Sequence, residues 1–187
     1  MITGPRELFV HRLRQMLWVE ETLARETLPR LRERAHANHL VWALDRHLLE
    51  TEGHVRNLGR VFVEAGERAT AVESIAFRGL EAETSRLLAA VGDDRFLVDL
   101  ALIDAVAAGE HLEVAGYEAL VQLAQALDVG PDTVYLLRTN LEQDAYALEE
   151  LQRALVKLLA EKVESVDEPS DSGAWPRCAG PGPTRYA

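Results

Sequence analysis

Cysteine is nearly missing from this chain: Cys178, close to the C-terminus, is the single one. That excludes an internal disulfide framework and favours a reducing, cytoplasmic setting. Aromatic residues make up 6% of the chain, and β-branched residues are few beside Leu, Ala, Glu and Arg. A sequence so short of strand formers is expected to be helical. The first residues, Met1–Leu8, carry no apolar run behind a basic start, so no signal peptide is expected. Nowhere is there a charge-free stretch long enough to span a bilayer, so no membrane association is expected. There is no excess of positive charge. The formal net charge is −11, which argues against nucleic acid or another polyphosphate as partner. No phosphate loop, zinc-finger spacing or nucleophile triad stands out.

What is present is helical periodicity. Helix 1 is expected over 5–34, opened by Pro5, with Val10, Leu13, Leu17, Ala24, Leu28 and Leu31 on one face. Pro29 inside this pattern should bend or distort it. Helix 2 is expected over 37–65, with a seam of Leu40, Leu44, His47, Thr51, His54, Leu58 and Val61, closed by Gly66. A shorter helix follows, opened by a Thr70–Glu73 capping box and carrying Ile75, Leu80 and Leu87 on its apolar side. Helix 3 of the bundle spans 95–127. A turn at Asp128-Val-Gly-Pro131 leads into the last helix, which runs to Lys162 with Leu137, Leu141, Asp144, Leu148 and Leu151 on its seam. Residues 1–163 therefore read as one all-α domain. It has two helical hairpins joined by a long crossover that holds the short helix, the connectivity of a ferritin-like antiparallel four-helix bundle. Ser, Gly, Pro and Asp dominate 164–187, which is expected to be a flexible tail.

The seams are interrupted by acids and histidines near mid-helix. Glu21 lies between Leu17 and Ala24, with Glu20 on its flank. In helix 2, His47 is read as a satisfied core histidine, while Glu50 and His54 are four apart and share a face. Glu110 and Glu113 fall on helix 3, and Asp144 on the last helix. Antiparallel packing would bring these to one level. Carboxylates buried together must be protonated, paired or neutralised by a cation, because each desolvated ion costs several kcal/mol. A pair of divalent metals would meet that need. Carboxylate oxygens with imidazole suit iron, with manganese or zinc as alternatives.

The strings Trp18-Val-Glu-Glu-Thr-Leu23, His47-Leu-Leu-Glu-Thr-Glu-Gly-His-Val55 and Gly109-Glu-His-Leu-Glu-Val-Ala-Gly-Tyr117 resemble the YciE/YciF-type ferritin-like family, in one register from 6 to 159. The resemblance implies a rubrerythrin-like bundle, a homodimer, a link to bacterial stress response and a di-iron site of ferroxidase type. Carried over position by position, the implied ligands are Glu21, Glu50, His54, Glu110, Glu113 and Asp144. Two departures stand out. Leu148 occupies a position where relatives commonly have Asp, which leaves the last helix with one inward ligand, and Trp18 replaces the usual tyrosine. Two function classes follow. One is a non-haem di-iron protein that oxidises Fe(II) with dioxygen or peroxide. In it Glu50 and Glu110 bridge, Glu21 and Asp144 are terminal ligands, His54 is the nitrogen ligand and Tyr117 donates a hydrogen bond. The other is a metal-free dimeric stress or interaction module.

Overall fold

The computed structural model describes the backbone of residues 2–166 and side chains through Lys162. The tail expected over 164–187, with Cys178, lies almost wholly outside the described residues. The first rod comprises α1 (Pro5–Thr22), a π-helical segment (Leu23–Thr27) and α2 (Leu28–Arg34). Then come α3 (Asn38–Glu64), α4 (Ile75–Val91), α5 (Arg95–Ala126) and α6 (Pro131–Val166). No strand occurs among the described residues, and none of their helices is long and apolar enough to cross a membrane.

α1 packs on α3 and α5, and α6 packs on the same two helices. This closes a four-helix bundle in which α1 lies diagonal to α6. The two hairpins, α1/α2–α3 and α5–α6, are tied by short turns, and α4 in the crossover lies against the outside of α5. α5 is therefore the most enclosed helix, with Val98, Leu102, Val106, Tyr117 and Leu120 buried on more than one side.

Local chemistry sets the boundaries. Gly66, at φ +67°, ends α3 in the left-handed conformation. The Glu67 amide then reaches back to the Phe62 carbonyl at 2.9 Å, satisfying a terminal acceptor. The expected capping box at Thr70–Glu73 does not open α4. Ser74 does, its hydroxyl accepting from Phe77 N at 3.4 Å. Residues 70–73 are instead a strap along α1, where Val72 N donates to Arg14 O at 3.0 Å. Glu73 pairs with Arg78 at 2.6 Å.

The π-helical segment lies immediately before Pro29. A proline ring clashes with the carbonyl four residues back and supplies no amide of its own. Widening the turn accommodates both: Leu28 N donates to Leu23 O, five residues back. The extra residue shifts the phase of everything N-terminal to it. Phe9, Leu13, Met16, Glu20 and Leu23 form the buried stripe that continues into Leu28 and Leu31, whereas Ala24 is only half-buried.

The turn between α2 and α3 is fixed from a distance. Asp99 of α5 is buried, and its two carboxylate oxygens accept from His36 N at 2.8 Å and Ala37 N at 2.9 Å. Asp99→Ala removes both acceptors and is expected to lower the unfolding free energy by about 3 kcal/mol, the magnitude for hydrogen bonds to a charged group plus stranded amides. Denaturant melts of the two proteins measure it. A change under about 0.5 kcal/mol, the range of an ordinary surface substitution, would contradict this account.

Candidate metal centre

Each bundle helix turns an acid or a histidine inward at mid-length. α1 supplies Glu20, α3 supplies His47 and His54 two turns apart, α5 supplies Glu110 and Glu113, and α6 supplies Asp144. All six are buried, Glu20, His54, Glu110 and Asp144 completely. They fall into two groups whose ligand-type atoms lie within 4.8 Å of one another: Glu20, His54 and Asp144, and His47, Glu110 and Glu113. The groups abut, because Glu20 and Asp144 both act electrostatically on Glu113.

In the first group His54 Nδ1 lies 3.2 Å from Glu20 Oε1 and 3.4 Å from Asp144 Oδ1. Its Nε2 lies 3.0 Å from Gln143 Oε1. An amide oxygen only accepts, so Nε2 donates to Gln143 and Nδ1 is the nitrogen turned toward the two carboxylates. Outer-sphere hydrogen bonds of this kind orient metal-binding histidines. Glu20 also accepts from the Tyr117 hydroxyl. That hydroxyl accepts from Asn140 Nδ2 at 2.9 Å, and Asn140 Oδ1 accepts from Asn57 at 2.7 Å. The chain fixes the direction in which Tyr117 donates. In the second group His47 Nε2 approaches Glu110 Oε1 to 2.7 Å, but outside hydrogen-bond geometry.

Polar satisfaction is where the centre differs from an ordinary core. Both oxygens of Glu110, Glu113 and Asp144, one of Glu20, both nitrogens of His47 and Nδ1 of His54 are buried without a hydrogen-bond partner. Buried polar atoms are nearly always partnered, so this many orphans in one place fits a cation-binding set. The donor chemistry, four carboxylates and two imidazoles, suits iron, manganese or zinc. A cavity of about 20 Å³ abuts His47, Glu110 and Glu113, walled by Leu23, Phe77 and Val106 with Thr27 and Glu81 among its polar lining. That is room for roughly one water-sized molecule.

The expected ligand set is thus rearranged. His54, Glu110, Glu113 and Asp144 come together. Glu21 does not: it pairs with Arg25 at 3.3 Å on the outside, and Glu20 takes the inward position. The cause is the extra residue of the π-helical segment, since stepping back from Leu28 at ordinary helical spacing lands on Glu21. Glu50 sits at the edge, 20% exposed and 3.4 Å from Arg46. His47, read from sequence as a core residue, faces Glu110 instead. Leu148 is half-buried, with Ala147 and Leu151 taking the buried positions, and the second group draws on α3 and α5 alone. The signal that could have located Glu20 is Pro29.

Burial pushes the Glu113 carboxyl well above the ordinary range, reinforced by Glu20, Asp144 and Glu110. Burial does the same to Asp144, reinforced by Glu20, Glu110 and Glu50. At His47 burial acts downward, but Glu110, Glu20 and Glu50 outweigh it and the imidazole is raised. In each case the metal-free fold holds a proton that the unfolded chain releases at lower pH. Stability is therefore full below the unfolded-chain values and is lost as pH rises through the raised ones. The chelator-treated protein should melt higher at about pH 6 than at about pH 8, and Glu113→Gln should flatten that slope. A melting temperature that rises across this window in both proteins would contradict the assignment.

A family model described as a domain of unknown function (DUF892) matches residues 4–164. Protein YciF of Escherichia coli (strain K12) is 28% identical over 139 residues, 74% of this chain and 82% of that one. Among solved structures, YcfI from Rhodopseudomonas palustris, described as a candidate structural protein, is 30% identical with a TM-score of 0.77. The match covers 81% of this chain and 94% of that one. The structure of the E. coli stress protein YciF superposes with a TM-score of 0.80 at 24% identity, over 86% of this chain and 99% of the other, a likeness of fold. With a family match that spans the whole bundle and relatives that share its helical architecture, this chain belongs to the DUF892 family of YciE/YciF-type ferritin-like proteins.

Proposed function

We propose that the bundle binds two transition-metal ions and uses them to handle dioxygen or peroxide, with oxidation of Fe(II) as the reaction. The observation that carries this reading is the concentration of unpartnered carboxylate oxygens around two inward imidazoles. Glu20, His54 and Asp144 would hold one ion, and His47, Glu110 and Glu113 the other. Bound iron or manganese would supply the redox electrons, and either ion would offset the carboxylate charge.

The chain's own part is orientation and enclosure. Gln143 holds the His54 ring with Nδ1 inward. Asn140 and Asn57 hold the Tyr117 hydroxyl so that its proton is directed at Glu20. Burial raises the Tyr117 hydroxyl well above its ordinary range, with Glu20 and Asp144 adding to the effect. Tyr117 therefore stays a protonated donor at neutral pH. Leu23, Phe77 and Val106 give the small cavity beside the second group an apolar wall. The competing reading, a metal-free module, needs the buried acids to hold protons, which the raised Glu113 and Asp144 carboxyls permit.

Anaerobic Fe(II) titration followed by exposure to air separates the two. The proposal expects about two irons per chain and a ferric absorption band. Glu20→Gln should weaken iron binding at least about tenfold, while Glu21→Gln should stay within about twofold of the parent. Equal loss in both variants would refute the placement of Glu20. A folded protein that takes up no metal would establish the module.

A further inference from the structure

On the α3–α6 side the centre is bounded by Arg46, one turn before Glu50. Its guanidinium lies 3.4 Å from Glu50 Oε1 and 2.5 Å from Glu150 Oε2. The same group sits over the Trp42 ring at 5.4 Å and the Tyr146 ring at 4.9 Å from the centroids. Two aromatic faces and a second carboxylate therefore hold Arg46 in place independently of Glu50. A gap of about 10 Å³ is lined by Arg46 and Glu150 together with His47 and Glu110 of the second group.

Only one oxygen of Glu50 is engaged. One oxygen meets Arg46, while the other, Oε2, is buried without a hydrogen-bond partner. On α3 it lies between His47 and His54, three residues after one and four before the other, so all three share a helix face. Its charge is felt at His47 and at Asp144. A cation beside His47 and Glu110 would compete with the guanidinium for this one carboxylate. Because Glu150 and the two rings retain Arg46, Glu50 can leave it without stranding a bare guanidinium.

We propose that Arg46 is a positioning residue that holds Glu50 in reserve, releasing its carboxylate to a divalent cation bound at the His47–Glu110–Glu113 group. This rests on the two-metal reading. It accounts for a carboxylate that lies in register with the centre but at its edge, and it makes Arg46 a determinant of affinity for the second ion.

Cobalt(II) is the probe, titrated into the parent protein, Arg46→Gln, Glu50→Gln and the double variant, with stoichiometry and affinity from calorimetry and the visible cobalt bands. Circular dichroism checks folding. Arg46→Gln should tighten the second equivalent by about three- to tenfold, and Glu50→Gln should weaken it about tenfold. In the Glu50→Gln background the Arg46 change should have less than about a twofold effect, because a residue that acts through another loses its effect when that other is gone. Arg46→Lys, which keeps the charge, should stay closer to the parent than Arg46→Gln. Equal tightening with and without the Glu50 carboxylate would overturn the proposal, since the charge would then act on the metal directly. So would cobalt binding in the parent that is indifferent to both substitutions, while two-equivalent binding there would leave the two-metal reading standing. No cobalt uptake by any folded variant would sink that reading and this inference with it.

Discussion

Four carboxylates and two imidazoles enclosed at one level of a narrow bundle impose the constraint that the rest of the structure serves. Like charges at such spacing repel, and burial makes each ionised carboxylate costlier still. Protons or cations must offset the charge, and the raised Glu113 and Asp144 carboxyls show how strong the demand is without a cation. The surrounding residues do little to meet it by direct pairing. Tyr117 serves one oxygen of Glu20, and Gln143 occupies the outer nitrogen of His54. The Arg46 guanidinium is spent on Glu50 and Glu150 at the edge. An arrangement that leaves both oxygens of Glu113 and of Asp144 without a hydrogen-bond donor is poor as a core and suits a cation.

The apolar layers above and below the centre make that arrangement tolerable. Leu13, Leu40, Leu44, Leu58, Leu102, Leu120 and Leu137 are almost fully enclosed, so ordinary bundle packing supplies the stability that the polar layer reduces. Close approach of the helices is part of the same design. At Gly116 an added Cβ would overlap the end of the Met16 side chain. Its missing side chain leaves room on α5 for that methyl group, one turn from where Glu20 meets Tyr117.

Much of this was legible in the sequence. α3, α5 and the crossover came from apolar spacing and from glycine and proline at the turns, and Gly66 closes α3 in the expected left-handed conformation. Asp144, Glu110 and His54 read as inward because each interrupts a regular stripe, whereas Glu113 enters the set through the family resemblance. The failures share a physical origin: a seam assumes constant pitch, and a lone side chain does not reveal what faces it. Pro29 announced a distortion, but not that it would take the form of one inserted residue, which moves the inward acid from Glu21 to Glu20. His47 falls on its seam in the sequence, yet only the assembled bundle, with α5 diagonal to α3, shows that it looks onto Glu110 rather than a core acceptor. The cap of α4 was misplaced because Val72 is captured by the Arg14 carbonyl, a contact across the fold that local preference cannot register.

The same insertion bears on function. A π-helical turn costs backbone regularity, and a chain without it would present Glu21 and Ala24 inward in place of Glu20 and Leu23. Glu21 has Arg25 one turn away as a partner, whereas Glu20 lies opposite Tyr117 and His54. The distortion therefore selects the acid whose surroundings on the facing helices are already arranged for it, and excludes the one that would bring its own arginine along. Pro29, remote from the chemistry and carrying none, holds that choice in place because an undistorted helix cannot accommodate its ring. The register of the centre is thus set by a residue that touches none of the groups it positions, and an acidic pair at 20–21 can be interpreted only together with the proline that follows it.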